Sequence, residues 1–336
     1  MTAGMKGRWG IAGYGWVARD HMAPGIRAAG GTVSAVADPS PHARARAEAE
    51  GIAAFETVEA MLTAGACDLL YVATPNDAHL GPVRAAAAAG VPVLCEKPLA
   101  ASLADAEAIG AAAAGLLAGT AFDQRHHPAH RAMADAIGNG AIGRPVAIRI
   151  VYACWVGPDW SPGEEAHDNW RADPARAGGG AVIDLAPHGL DLAQMLLGEP
   201  LVSLHVDLQR RVHAYPVEDG GMLSARTTSG VLLNAHVAYN CAEALPRRRL
   251  EVLGDTGLLV ATDTMGQSAG GTLERRCGRT GAHAPIAFAA DASPFAAQAA
   301  AFMAAARGHA HDFDLARDVA LMRLLDGAYR EALRWL

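Results

Sequence analysis

The chain has 336 residues, of which 51% are hydrophobic and 19% charged, and its formal net charge is −7. At ~150 residues per domain this length suggests two domains with full cores, and the composition excludes a disordered chain. The acidic balance argues against nucleic acid or an anionic membrane surface as a partner. Five scattered cysteines without a CxxC pair suit a reducing cytosol better than a disulfide framework or a zinc knuckle. No apolar stretch opens the chain and none reaches ~18 residues, so neither a secretory signal nor a membrane span is expected, and a cytoplasmic protein is.

In chain order, residues 9–12 form a short apolar strand that runs into Gly13-Tyr14-Gly15-Trp16-Val17-Ala18. A helix follows at 20–29, then a strand at 32–37 closed by Asp38-Pro39. A Ser-Pro start opens a helix at 40–51. Short apolar strands are predicted at 68–74 and 91–95, with helices at 58–64, 80–89 and 102–114. This βαβ alternation implies a parallel sheet covered on both faces. The boundary falls near 119–122, giving domains 1–121 and 122–336.

Beyond it a helix at 131–139 and a strand at 146–155 precede a long polar loop to residue 180. Residues 186–197 read as helix. Pro187 is tolerated within a first helical turn, which sets the predicted start near Asp184. Alternating runs at 201–211, 222–228, 231–239, 250–253 and 258–261 follow without intervening helices, and they imply an antiparallel sheet. Ala-rich helices at 294–307 and 315–333 end the chain. The run 231–239 carries apolar residues on both sides, with Leu232 and Ala238 sharing one side with Asn234, His236 and Asn240. An open sheet face of that kind predicts at least a homodimer through it, unless the last two helices cover it.

Three groups of residues carry chemistry. The GxGxxA turn lies between the first strand and a helix. Gly13 permits the tight turn, Gly15 lets a pyrophosphate approach the main chain, and the helix N-terminus with Trp16 and Val17 faces the phosphates. Asp38 would accept hydrogen bonds from a ribose and repel a 2′-phosphate, favouring NAD over NADP. Arg44 and Arg46 are the residues that could reverse that preference.

At the ends of the later strands stand Thr74, Asn76, His79, Glu96 and Lys97. Turn chemistry explains the prolines here. It does not explain Lys97, because only Lys6 and Lys97 among the 28 basic residues are lysine. Lysine is a compact three-donor charge that can lose its proton, and arginine is neither.

The third group is Gly178-Gly179-Gly180 followed by Asp184, His188 and Asp191. Helical spacing puts Asp184 and His188 on one face. A carboxylate and an imidazole suit proton transfer. Asp184 as an N-cap and a metal set with Asp191 are the alternatives. In the long loop Trp155, Trp160 and Trp170 alternate with Asp159, Glu164, Glu165, His167, Asp168, Asn169 and Arg171, a mixture that suits a sugar or polyol; a loop anchored by aromatics is the competing reading.

The stretches GIAGYGWVA, SAVADPS, VATPNDAHL, CEKPLA, QRHHPAH, NGAIGRPVAI, WRADPARAGGGAVIDLAPHGLDL and VLGDTG resemble, in order, those of the Gfo/Idh/MocA family of nicotinamide-dependent sugar oxidoreductases. The resemblance implies an N-terminal Rossmann domain and a C-terminal α+β domain with an open-faced, mainly antiparallel sheet that forms a dimer or tetramer. It implies that Lys97 and His188 flank the reacting carbon, with Asp184 contacting substrate or orienting the base. Thr74, Asn76, His79 and Glu96 would line the nicotinamide pocket. Arg171 falls in a segment where the family often contacts substrate, whereas the loop from Trp155 to Asp168 varies widely in the family and is not assigned by resemblance. On their residue types alone Trp155 and Trp170 join Arg171, Lys97, Asp184 and His188 as substrate-binding candidates, and no metal is implied. Pro187 departs from the small or aliphatic residue expected there. The Lys97-Pro98 bond is left open between cis and trans: related enzymes often use a cis link here, whereas only ~5–6% of X–Pro bonds are cis.

The function implied is hydride transfer between NAD and a secondary alcohol or ketone of a sugar, cyclitol or related polyol. The alternatives are an NAD-dependent glycoside hydrolase on the same fold and a non-catalytic ligand-binding regulator.

Overall fold

The computed structural model describes residues 7–161 and 169–336. Lys6, Glu164, Glu165, His167 and Asp168 therefore lie outside the described residues. Two compact units are present. The first comprises residues up to 121 together with 295–322, and the second 122–161, 169–294 and 323–336.

The first unit is built on a six-stranded parallel sheet. Its strands are β1 (Arg8–Ala12), β2 (Thr32–Ala37), β3 (Ala53–Phe55), β4 (Leu69–Val72), β5 (Val93–Cys95) and β6 (Ala118–Thr120). Their order is β3-β2-β1-β4-β5-β6, so the chain reverses direction across the sheet between β1 and β4. Buried apolar residues fill both faces of β1 and β4, as a doubly covered sheet requires. One layer centres on Trp9, Ile11, Leu69 and Tyr71, the other on Ala12, Leu70, Val72 and Val93.

The stretch 295–322 completes these layers, which corrects the assignment of all of 122–336 to a second domain. Phe295, Phe302 and Met303 pack into the first layer, and Val319 and Met322 into the second. Trp9 meets Phe302 with ring centroids 5.6 Å apart. The Lys97-Pro98 bond is cis.

The second unit carries an eight-stranded sheet. Its strands are β7 (Pro145–Ala153), β8 (Leu201–Gln209), β9 (Gly220–Thr227), β10 (Leu232–Ala238), β11 (Arg248–Gly254), β12 (Gly257–Thr262), β13 (Thr272–Cys277) and β14 (His283–Pro285). The order is β14-β13-β12-β11-β7-β10-β9-β8. Every pairing is antiparallel except β7 with β10.

The helix Ala181–Leu197 lies on one face of this sheet. Gly221 and Gly189 permit the approach: a Cβ there would stand 2.5 Å from Val182 and 3.1 Å from Ile150. The opposite face holds Met222, Leu232, Asn234 and His236, with Met222 and Leu232 about half exposed. Among the described residues, no helix is long and apolar enough to cross a membrane.

Candidate active site

The carboxyl ends of β1, β2, β4 and β5 gather the residues singled out in the first unit. Open parallel sheets bind ligands along this edge, where the strand order reverses. Gly13 has φ +85°, and a Cβ there would lie 2.8 Å from Ala73 O and 2.9 Å from Thr74 N. Only glycine fits that turn. At Gly15 the space a Cβ would occupy has no neighbour within 4 Å, so the main chain stands open.

Between the glycines, Tyr14 turns inward. Its hydroxyl donates to Glu50 at 2.9 Å, and burial followed by Glu50 pushes the phenol up to about 12. The Tyr14 N–H donates to Asp38 Oδ2 and the Ser40 N–H to Asp38 Oδ1, both at 2.8 Å. Arg44 donates to the carbonyls of Asp38 and Pro39 at 2.8 Å, and Arg46 faces His42 at 3.2 Å. The helix after the turn starts three residues earlier than expected. It opens as a π-helical turn, Val17–Met22, and continues as Ala23–Ala28.

At the end of β4, Thr74 Oγ1 is buried without a hydrogen-bond partner among the described residues. His79 is fully buried, with Nδ1 3.1 Å from Leu99 O and Nε2 3.0 Å from Thr74 O. It braces the turn after β4 against the one after β5, so it supports this edge from beneath. Burial holds the imidazole below its ordinary range. Asn76 is buried and its carbonyl accepts the Ala101 N–H. Glu96, also buried, accepts the Tyr71 hydroxyl and the Lys97 N–H. Lys97 is half-buried.

These residues fit a dinucleotide. The Gly15 main chain is open where a pyrophosphate would lie, Asp38 is fixed where a ribose would lie, and Thr74 retains an unused hydroxyl.

In the second unit the glycine triplet is a steric requirement. Gly178 has φ +85°, and Cβ atoms at Gly179 and Gly180 would stand 2.5 Å from the Tyr329 hydroxyl and 2.0 Å from Glu218 O. The helix Ala181–Leu197 begins three residues before the expected start, and Pro187 lies inside it. The cap is the reason. Glu218, fully buried, accepts the N–H of Gly180 at 2.9 Å and of Val182 at 3.0 Å, plus the Tyr329 hydroxyl at 2.5 Å. A carboxylate from β9's approach thus satisfies the helix N-terminus. Burial still pushes the Glu218 carboxyl above its ordinary value, against these three donors. Asp184 is accordingly not the N-cap; its own N–H donates to Gly180 O.

Asp184, His188 and Asp191 share one helix face, and each meets a side chain from elsewhere. Tyr239, just after β10, donates to Asp184 at 2.6 Å. Asp123 lies 3.2 Å from His188 Nδ1. Arg125 grips Asp191 with two bonds of 2.7 Å, both residues being buried. The Tyr152 ring meets His188 edge-on at 5.6 Å. Among the described residues no group of three His, Cys, Asp or Glu side chains could hold a metal.

The loop aromatics divide. Arg171 lies over Trp160 and Trp170, with its guanidinium 5.2 and 4.5 Å from their centroids, so each ring gives a face to the cation. Trp155 is 42% exposed and sets its ring against His213 at 4.7 Å.

Sequence reasoning missed Asp123, Tyr152, Glu218 and Tyr239. Asp123 adjoins the quoted QRHHPAH stretch, and Tyr239 ends an alternating strand. Neither carries a spacing that names its partner.

A family model described as "Oxidoreductase family, NAD-binding Rossmann fold" matches residues 7–117, and "GFO/IDH/MocA C-terminal domain" matches residues 130–260. The chain belongs to the GFO/IDH/MocA oxidoreductase family. It is an oxidoreductase whose first unit is a nicotinamide-dinucleotide-binding Rossmann fold. It is 34% identical to a 1,5-anhydro-D-fructose reductase from Ensifer adhaerens, over 90% of this chain and 89% of that one. It is 30% identical to inositol 2-dehydrogenase 4 from Saccharopolyspora erythraea, over 70% and 67%. The solved aldose–aldose oxidoreductase from Caulobacter crescentus, complexed with glycerol, has the same fold. Its TM-score is 0.84 at 24% identity, over 98% of both chains.

Proposed function

We propose that this oxidoreductase interconverts a secondary alcohol and a ketone on a sugar, cyclitol or related polyol, with NAD as cofactor. The observation that carries the reading is the carboxyl edge of the parallel sheet. It combines the open Gly15 turn and pinned Asp38 with Glu96 and Lys97, one of two lysines in the chain. The names of the curated relatives, a reductase of an anhydro sugar and an inositol dehydrogenase, support the substrate class.

When bound, the nicotinamide supplies a hydride acceptor in oxidation and a donor in reduction. Gly13, Gly15, Trp16, Val17 and Asp38 would hold the dinucleotide, and Thr74, Asn76 and Glu96 would line the pocket of its nicotinamide. His188 removes the proton of the substrate hydroxyl and returns it in the reverse direction. Lys97 stabilises the alkoxide as charge develops, as a fixed cation does at forming negative charge. Asp184, held by Tyr239, receives a substrate hydroxyl. Trp155, Trp170 and Arg171 contact the remainder of the ring.

NAD is preferred to NADP because Asp38 presents a carboxylate to the ribose. Arg44 supports the same choice, since its guanidinium is engaged with two main-chain carbonyls. No disulfide joins the five cysteines among the described residues, and a cytosolic enzyme suits that chemistry.

The open sheet face with Met222, Leu232, Asn234 and His236 pairs with a second copy, giving a homodimer or homotetramer with a semi-polar centre. The exposure of Met222 and Leu232 argues against the last two helices as its cover. Light scattering at micromolar concentration is expected to give at least twice the mass of one chain, and the mass of a single chain contradicts the pairing.

The function is tested by Lys97→Ala and His188→Gln assayed with the substrate that reduces NAD fastest. Both variants are expected to lose turnover while still binding NAD. Full turnover in either removes that residue from the mechanism.

A further inference from the structure

Asp123 is a buried carboxylate to which neither the nucleotide edge nor the glycine and histidine motif assigns a task. It lies in the short turn Asp123–His126 and is 3% exposed. Its Oδ2 accepts from Gln124 Nε2 at 2.8 Å, and the same amide donates to Gly266 O at 2.8 Å. Gln124 is held in turn, its carbonyl 2.9 Å from His130 Nδ1, with His130 Nε2 2.9 Å from Thr264 Oγ1. The other oxygen, Oδ1, stands 3.2 Å from His188 Nδ1. Burying a carboxylate is costly unless donors or a cation meet it. The Gln124 amide meets one oxygen, and the imidazole is what faces the other. The 3.2 Å approach lies within ion-pair range but outside hydrogen-bond alignment. Catalytic bonds of this kind tighten when substrate binds.

We propose that Asp123 is the positioning residue for the acid–base: it holds His188 with Nδ1 as the N–H donor and so presents Nε2 to the substrate hydroxyl. This rests on the reading of His188 as the base.

Other titratable or charged groups stand near the imidazole or Asp123: burial lowers His127 and His130 below the ordinary imidazole range, while the charge of Asp123 acts the other way on both. Tyr152, from β7, is held well above its ordinary range by burial and then by Asp123, so it stays neutral. Arg248 acts on Tyr152 from β11. On the helix itself, Asp184 takes the Tyr239 hydroxyl and Asp191 takes Arg125. Among the described residues, Asp123 faces the imidazole from outside its own helix.

The test is the pH profile of alcohol oxidation in the native enzyme and in Asp123→Asn, Asp123→Glu and His188→Gln. In this direction a rate that depends on a general base rises with pH. Asp123→Asn keeps the shape and removes the charge that favours imidazolium. The midpoint of the rise is expected to move about one unit to lower pH. Turnover is expected to fall roughly tenfold to a hundredfold. Asp123→Glu is expected to restore the midpoint, which a merely structural role would not require.

An unchanged midpoint in Asp123→Asn, with the rise lost in His188→Gln, overturns the proposal and leaves the His188 reading in place. A rise that persists in His188→Gln overturns both. If Asp123→Asn does not fold, nitrogen NMR of the labelled native enzyme decides. The His188 signal is assigned by its loss in His188→Gln. Protonation at Nδ1 of the neutral ring is expected, and protonation at Nε2 overturns the proposal.

Discussion

The nucleotide edge of the first unit and the acid–base face of the second are held by different means. At the nucleotide edge Asp38 and His79 are fixed by main chain. Asp38 is gripped by two N–H groups, and His79 rests on two carbonyls. On the acid–base face the fixed points are side chains. Asp184, His188 and Asp191 meet Tyr239, Asp123 and Arg125, and Glu218 caps their helix. A backbone-held group survives most substitutions of its neighbours, glycine positions excepted. A buried carboxylate gripped by a cation loses its charge balance when that cation goes. The two regions should therefore fail differently: the first by losing function with the fold intact, the second by losing stability as well wherever a buried carboxylate is deprived of its cation.

The sharpest break in that comparison is Arg125→Met. It removes the guanidinium that grips buried Asp191 with two bonds, and is expected to lower stability by about 3–5 kcal/mol. The double variant Arg125→Met/Asp191→Leu should recover most of that loss, as read from urea or thermal unfolding. Equal losses in single and double variants would mean that packing, and not stranded charge, sets the cost.

Next comes Lys97→Arg at the nucleotide edge. Turnover is expected to fall roughly 10²–10³-fold, the size of a lost charge stabiliser, with unfolding and NAD binding nearly unchanged. An active arginine variant would show that the scarcity of lysine had misled.

Asp38→Ser should weaken NAD roughly tenfold, as loss of a charge-assisted hydrogen bond implies, while NADP binding improves. Intrinsic tryptophan fluorescence reports both titrations, and a native enzyme that binds NADP more tightly than NAD would contradict the role of Asp38.

The smallest effect serves as a control outside both regions. The Thr280 hydroxyl, then main-chain N–H groups, bring the Cys277 thiol down to about 7, whereas burial pushes Cys67 up to about 11. Iodoacetamide should modify Cys277 first, with its rate climbing through about pH 7 and activity retained. Preferential labelling of Cys67 would contradict this.

The same contrast explains what could be read in advance. Gly13, Gly15, Asp38 and Lys97 sit at strand ends within contiguous motifs, so their chemistry is local and legible. The pairs Arg125–Asp191 and Tyr239–Asp184 span 66 and 55 residues, and no spacing announces them. Pro187 misdirected the helix start because its expected place in a first turn ignored the distant Glu218 cap that lets the helix begin at Ala181. Strand β13 escaped notice because Glu274, Arg275 and Arg276 interrupt any apolar alternation; Glu274 and Arg276 instead pair with each other along the strand. The helices after residue 294 were legible as helices. Their Ala-rich faces could not say which sheet they complete, and 295–322 belongs to the first unit.

The central claim is oxidoreduction of a polyhydroxy substrate with NAD. Its most direct test is a panel of sugars, anhydro sugars and cyclitols with NAD+ and the native enzyme, read as absorbance of NADH and as release from aryl glycosides. NADH is expected to accumulate with at least one polyol and to vanish in His188→Gln. Glycoside cleavage without accumulation of NADH would contradict the account.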